Sequence, residues 1–142
     1  PSFEVRLESP DGSAIRRLYR IGDGDPCSEL AWSPDGRLLA VLSAHVARVR
    51  FVDVDWALKH PETPTAPARQ VDLSTERDLR MGRDLRFVGP SEVELAICSY
   101  SLAEPRQTHE RRCTSQEIRK QFPISLPINP GRLVSASPRS PG

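Results

Sequence analysis

The chain has 142 residues, and its 20 Lys and Arg residues against 19 Asp and Glu residues leave a formal net charge of +1. This mixed-sign composition lacks the strongly basic face that nucleic-acid-binding proteins usually present, so we expect no nucleic-acid partner. The pairs Arg16–Arg17 and Arg111–Arg112 could touch phosphate, but we interpret them as an ordinary solvated surface. No apolar run approaches the roughly 20 residues that cross a bilayer, and no signal peptide is recognisable, so we predict no membrane association.

Proline marks the connections of the chain. Fourteen of the residues are proline, about twice the average usage. Because proline fixes φ and removes a backbone donor, its clusters at 61–67 and 123–141 exclude long helices and central strands there. We therefore predict a linker at 61–69 and an extended proline-rich tail at 122–142, in which Phe122, Ile124, Leu126 and Ile128 dock on another surface before a loose end.

The first elements read as a β-hairpin. Phe3, Val5 and Leu7 alternate along one strand, residues 8–13 form a turn around Pro10-Asp11-Gly12, and a second strand covers 14–21. Gly22-Asp23-Gly24-Asp25-Pro26 then breaks the chain.

The next segment is the most informative one. It predicts strands at 29–33, 37–43 and 48–54, with a tight turn at Ser33-Pro34-Asp35-Gly36 between the first two. The strand 37–43 is apolar on both faces, and such a strand must be covered on both faces. A stacked sheet meets that requirement, whereas an isolated hairpin does not.

Weaker patterns complete the chain. We predict one helical turn at 56–60 with Asp55 as its N-cap, a fourth strand at 69–73, and a strand–turn–strand unit at 85–88 and 92–98. Thr114-Ser115-Gln116-Glu117 has the spelling of a capping box, so we predict a short helix at 115–121. The predicted fold class is all-β, with antiparallel four-stranded sheets.

Segment 30–40, which reads LAWSPDGRLLA, resembles the blade signature of TolB-type and WD40-like β-propellers. Val52-Asp53 falls where WD40 blades place a Trp-Asp pair, and the absence of that dipeptide favours the looser TolB-like or generic WD40-like group. A second, weaker copy places Phe87 opposite Trp32, at a step of 87 − 32 = 55 residues, against about 40–45 for a WD40 repeat. The alternative is another β-sandwich or meander.

The resemblance implies a partial β-propeller of about two to three blades over residues 1–121. It places the end of a preceding blade at 1–21, a blade at 28–73 and a partial blade at 84–121, before the tail at 122–142. From the strand patterns we expect a core with these members: Trp32, Leu39, Val41, Phe51, Phe87, Leu95 and Ile97.

No catalytic or cofactor motif is recognisable, so we predict a protein that is not an enzyme, with no catalytic, cofactor-binding or metal-binding residue. The run 22–25 lacks the late bidentate Glu of a calcium loop, and we interpret it as a turn. His45, His60 and His109 lack the close spacing of zinc ligands.

Two further groups leave alternatives open. Asp53 and Asp55 stand two residues apart and could act as paired carboxylates, but we favour Asp53 bonding a neighbouring turn and Asp55 capping the helix. The odd number of cysteines argues against a fully paired disulfide framework. Cys98 and Cys113 could bridge across a connection, while we favour Cys27 and Cys98 as small buried hydrophobic residues.

These features predict a non-catalytic binding or scaffolding module for protein–protein interaction. The alternatives are an accessory propeller fragment of a larger peptidase or hydrolase, and the sensor region of a signalling ATPase or kinase. A closed propeller typically needs 4–8 blades, so we expect a protein partner or self-association to complete the array of sheets. The fold-back of residues 122–142 is the other way to cover the exposed face.

Overall fold

A computed structural model describes residues 3–21, 27–64, 66–102 and 111–124. These residues form antiparallel sheets with very little helix, which confirms the predicted all-β class and its brief helical turn near 56–60. A short 3-10 turn lies at Ala44–Val46. The other elements are β1 (Phe3–Glu8), β2 (Ile15–Ile21), β3 (Glu29–Trp32), β4 (Leu38–Ser43), β5 (Arg48–Asp53), α1 (Val54–Lys59), β6 (Ala68–Asp72), β7 (Arg80–Gly89), β8 (Glu92–Leu102), β9 (Arg111–Cys113) and β10 (Ile118–Pro123).

Strands β3 to β6 form the middle sheet, a four-stranded antiparallel meander in chain order. Every residue of β4 is buried, as its two-sided apolar pattern predicts. Leu38, Ala40 and Leu42 face one side of the sheet, and Leu39 and Val41 face the other. The middle sheet is therefore packed between two other layers.

The layer on one side is the hairpin of β1 and β2, and the layer on the other is the third sheet, made of β7 to β10. Val5 and Leu18 of the hairpin pack against Leu39, Val41 and Val52. In the third sheet β8 pairs with β7 along one edge and with both β10 and β9 along the other. The three layers stack face to face with one apolar core on each side of the middle sheet.

Two turns with the same sequence have the same structure. Ser9-Pro10-Asp11-Gly12 joins β1 to β2, and Ser33-Pro34-Asp35-Gly36 joins β3 to β4. In each turn the serine hydroxyl donates to the aspartate Oδ1, at 2.8 Å in the first and 2.7 Å in the second. The glycines have φ of 77° and 74°, a left-handed conformation that only glycine adopts without cost. The strand–S-P-D-G–strand unit thus occurs twice.

Several predictions of detail are wrong. Trp32 is not a core residue, because 49% of it is exposed, and Phe87 is only partly buried. The predicted helix at 115–121 does not form: this stretch leads into β10, since its residues pair with β8 as a further strand. In the predicted tail, Phe122 and Pro123 belong to β10 and Ile124 is buried, whereas Leu126 and Ile128 lie outside the described residues.

Cys98 of β8 and Cys113 of β9 are joined by a disulfide, which is the bridge that the sequence analysis left as an alternative. Cys98 is buried and Cys113 is exposed. Cys27 is a half-buried free thiol, and burial raises its pKa above the ordinary value.

Candidate functional site

The paired carboxylates have structural partners. Asp53 caps α1, since its Oδ1 accepts from the backbone N–H of Trp56 at 2.9 Å. Asp55 is therefore not the N-cap that we predicted: it lies in the first turn of α1, and its Oδ2 lies 3.1 Å from Lys59 Nζ and 3.3 Å from Arg37 Nη2. The predicted N-cap is two residues too late in the chain, because the helix begins at Val54, which the sequence pattern assigned to the preceding strand.

The two histidines that the structure describes belong to different elements. His45 is exposed in the 3-10 turn, and His60 stacks on Trp56 at the end of α1, with ring centroids 4.1 Å apart. His109 and the run 22–25 lie outside the described residues. Within those residues no group of three or more His, Cys, Asp and Glu side chains could hold a metal ion.

Arg16 and Arg17 interact with different parts of the protein. The Arg16 guanidinium donates to the carbonyl oxygens of Ala57 at 3.0 Å and His60 at 3.2 Å, which ties the hairpin to the last turn of α1. Arg17 pairs with Glu4. The two guanidinium groups therefore have separate partners within the protein.

An apolar groove with a volume of about 400 Å³ lies between the tip of the hairpin, the second S-P-D-G turn and α1. Trp32 forms one wall, Leu58 another and Ile15 a third, and Val54 lies between them. Trp32, Leu58 and Ile15 are 49%, 60% and 58% exposed, respectively. Next to the groove on β3, Leu30 is 53% exposed. Half-exposed apolar side chains grouped in this way make the groove a candidate interaction site.

Two ionised carboxylates lie at the rim of this groove. Asp11 and Asp35 belong to the S-P-D-G turns, whose residues Ser9 and Gly36 line it. Hydrogen bonds from the Ser13 backbone and hydroxyl, and from Ser9, lower the pKa of Asp11 to about 2. The Ser33 hydroxyl is the main cause of a lowered pKa at Asp35. Arg16 also lines the groove, and Arg37 adds a favourable electrostatic interaction at Asp35, so both signs of charge lie around the groove.

The outer faces of the stack differ sharply from the groove. On the hairpin, Glu4, Arg6 and Glu8 alternate with the inward Val5 and Leu7, and Arg6 Nε lies 3.1 Å from Glu8 Oε2. The outer face of the third sheet carries a comparable ion-pair network. Its members are Arg83 with Glu117 at 2.7 Å, and Glu94 with Arg86 at 2.7 Å and Arg119 at 2.8 Å. Among the described residues, the outer faces of the hairpin and of the third sheet therefore carry exposed charged side chains.

The groove was not predicted from the sequence. Trp32 stands in a good strand pattern next to the turn signature, and aromatic residues in such strands are usually buried. Its exposure depends on how far the hairpin extends over β3, and local periodicity carries no signal for that distance. The repeated S-P-D-G turn was the signal available for the rim.

No helix in the part of the chain that the structure describes is long and apolar enough to cross a membrane. Searches against protein-family models, curated proteins and solved structures found no significant match to this chain.

Proposed function

We propose that this chain is a non-catalytic protein-binding module, built like two to three blades of a TolB-like or WD40-like β-propeller. The middle sheet supports the propeller part of the proposal. It is a four-stranded antiparallel meander, which is the composition of a propeller blade, and both of its faces pack against neighbouring sheets. The hairpin then corresponds to the last two strands of a preceding blade.

The observation that carries the binding function is the half-exposed Trp32 in the wall of an apolar groove. Exposing this much tryptophan surface to water is unfavourable, and burying it against a partner recovers about 25 cal/mol per Å² of apolar area. Tryptophan is also among the residues most enriched at the energetic centres of protein interfaces. The groove is rigidly framed, because two hydrogen-bonded turns and a helix form its walls.

Of the two partner types expected from the sequence, we propose a separate protein rather than copies of the chain stacked by their sheet faces. Stacking would bury the ion pairs of Arg83, Arg86 and Arg119 in one interface. Removing such pairs from water costs several kcal/mol per ion.

The test is selection of random peptides displayed on phage against the folded protein, followed by binding measurements on the enriched peptides. We expect peptides rich in apolar residues, and we expect Trp32→Lys to weaken them by at least about tenfold, since a buried aromatic anchor contributes about 2 kcal/mol or more. Ile118→Lys is the matched control, because Ile118 is 57% exposed on β10, outside the groove. Equal binding to the wild type and Trp32→Lys would contradict the proposed site.

A further inference from the structure

Strand β8 changes partners along one of its edges. There β10 pairs with residues 92–97, and the short β9 pairs with residues 100–102. On the opposite edge, the strand pairing of β8 with β7 ends at Ser99. Within the described residues, the end of β8 and β9 thus form a ribbon of only two strands, residues 100–102 with residues 111–113.

The side chains of this ribbon add little burial to its stability. Ser101, Arg112 and Cys113 are exposed, and Tyr100 is half-buried, with its hydroxyl donating to His45 O at 3.0 Å. A ribbon of two strands is marginally stable in water when it buries no apolar face. The disulfide that joins β9 to β8 is therefore the strongest constraint that keeps β9 in place.

The two sulfur atoms of this disulfide differ in their access to solvent. Cys98 is only 4% exposed, whereas Cys113 lies exposed on β9. A disulfide is opened when a thiolate attacks one of its sulfur atoms, and access decides which of the two is attacked. A small thiol in solution therefore reaches the sulfur of Cys113 first.

We propose that Cys113 is a modification site at which a small thiol of the glutathione class exchanges with the disulfide, and that this exchange releases β9 while the three sheets stay folded. The thiolate sulfur bonds to Cys113 Sγ as the bond between Cys113 and Cys98 breaks. Cys98 Sγ receives the electron pair and takes up a proton. The step needs no oxidant, because one disulfide replaces another. It is also independent of the function proposed for the groove.

The hydrogen bonds of the backbone identify the amides that report the release. Tyr100 N donates to Leu79 O at 2.9 Å, on the side of β8 away from β9. Because successive residues of a strand direct their backbone groups to opposite edges, Ser101 N points toward β9, where its partner is Arg112. The amides of Ser101 and Arg112 should therefore lose protection when β9 is released, and the amide of Tyr100 should keep more of it.

The site of exchange is tested with reduced glutathione on the folded protein. The reaction is stopped with acid at early times, and the peptides are mapped by mass spectrometry. We expect glutathione on Cys113 and a free thiol at Cys98. Glutathione mainly on Cys98, which borders a cavity of about 250 Å³, would overturn the assignment. An exchange rate that rises with added urea in proportion to unfolding would overturn it too, because the reaction would then require the unfolded chain.

Amide hydrogen exchange tests the release. After complete reduction, Ser101 and Arg112 should lose at least about tenfold in protection, since a marginal ribbon no longer has its closed loop. Val41 of β4, which is paired on both edges, should remain protected. Unchanged protection at Ser101 and Arg112 would mean that β9 stays in place without the disulfide. Loss of protection at Val41 as well would mean that the whole protein unfolds, and either result would contradict the release.

Two variants complete the test. Cys27→Ser is the matched control, because Cys27 is a half-buried free thiol, and its glutathione exchange at Cys113 should equal that of the wild type. If Cys27→Ser abolishes the exchange, an internal thiol is the attacking group and the assignment to a small thiol is wrong. Cys113→Ser should show the unprotected Ser101 amide without any reductant. A protected Ser101 amide in that variant would contradict the release.

Discussion

The two faces of the middle sheet have similar apolar patterns and different surroundings. On the face toward the third sheet, Leu38, Leu42, Val49 and Phe51 are all buried. On the face toward the hairpin, burial is complete on β4 and stops at β3, where Trp32 is half exposed. The difference indicates that the width of the covering layer, and not the alternation within a strand, decides which residues become core and which stay exposed.

The largest effect should come from the fully covered face. Phe51 is inaccessible to solvent and contacts Phe122 edge to face, with ring centroids 6.1 Å apart. We expect Phe51→Ala to lower the free energy of unfolding by about 3–5 kcal/mol, the usual cost of a phenylalanine-sized cavity. Equilibrium unfolding in urea measures this value. A loss below about 1 kcal/mol, the typical effect of an ordinary point mutation, would show that the face is not packed as described.

Within the described residues, the third sheet contains a disulfide and the hairpin does not. The disulfide closes a loop with a sequence separation of 15 residues. We expect Cys113→Ser to lower the free energy of unfolding by about 3 kcal/mol, because the open chain gains entropy when unfolded. Dithiothreitol should produce the same loss in the wild type and no further loss in Cys113→Ser. An additional effect of the reductant on the variant would contradict this assignment.

On the half-covered face, replacing Trp32 should change the free energy of unfolding only slightly, although the size of the side chain alone predicts a large loss. Trp32→Ala should change the free energy of unfolding by about 1 kcal/mol or less, since half of the side chain is already in water. The control is Leu39→Ala at its buried cross-strand partner, for which we expect a loss of about 2–5 kcal/mol. Equal losses at the two positions would mean that the hairpin covers β3 after all.

The smallest effect concerns the two S-P-D-G turns, one in each layer that borders the groove. The pKa of Asp11 is lowered from 3.8 to about 2, and that of Asp35 is also lowered. A lowered pKa in the folded state means that each carboxylate stabilises the fold above about pH 4, and that this contribution is lost as the pH falls toward 2. Asp11→Asn and Asp35→Asn should each reduce the dependence of the melting temperature on pH in that range. Carbon NMR titration of the carboxyl groups provides the direct check, and an ordinary pKa at Asp11 would rule out its hydrogen bonds.

Much of the fold could be predicted because local chemistry specifies it. Alternation located β1 to β6 to within a residue or two, and the S-P-D-G spelling located the turn after Trp32. The two-sided apolar pattern of β4 correctly predicted cover on both faces. In each case the residues of one short segment are enough to predict its structure.

The parts that could not be predicted depend on distant partners. Residues 118–121 are exposed and mostly polar, so their own sequence does not indicate a strand. They form a strand because they pair with β8. Leu30 and Trp32 depend on where the edge of the hairpin falls, and the groove exists only because of that edge. Asp53 is the N-cap in place of Asp55 because the helix begins two residues earlier than predicted, and Asp55 pairs with Lys59 and Arg37 instead.

The contact between Arg16 and α1 has a consequence for how the hairpin responds to its environment. Its acceptors are the neutral carbonyl oxygens of Ala57 and His60, at the end where the helix dipole is negative. Added salt weakens pairs of exposed opposite charges most, and it weakens a hydrogen bond to a backbone carbonyl far less. Arginine also stays charged at every physiological pH. The contact between the hairpin and α1 should therefore persist at ionic strengths and pH values that break the ion pairs on the outer face of the hairpin. The shape of the groove should then change less with salt and pH than the charges around it.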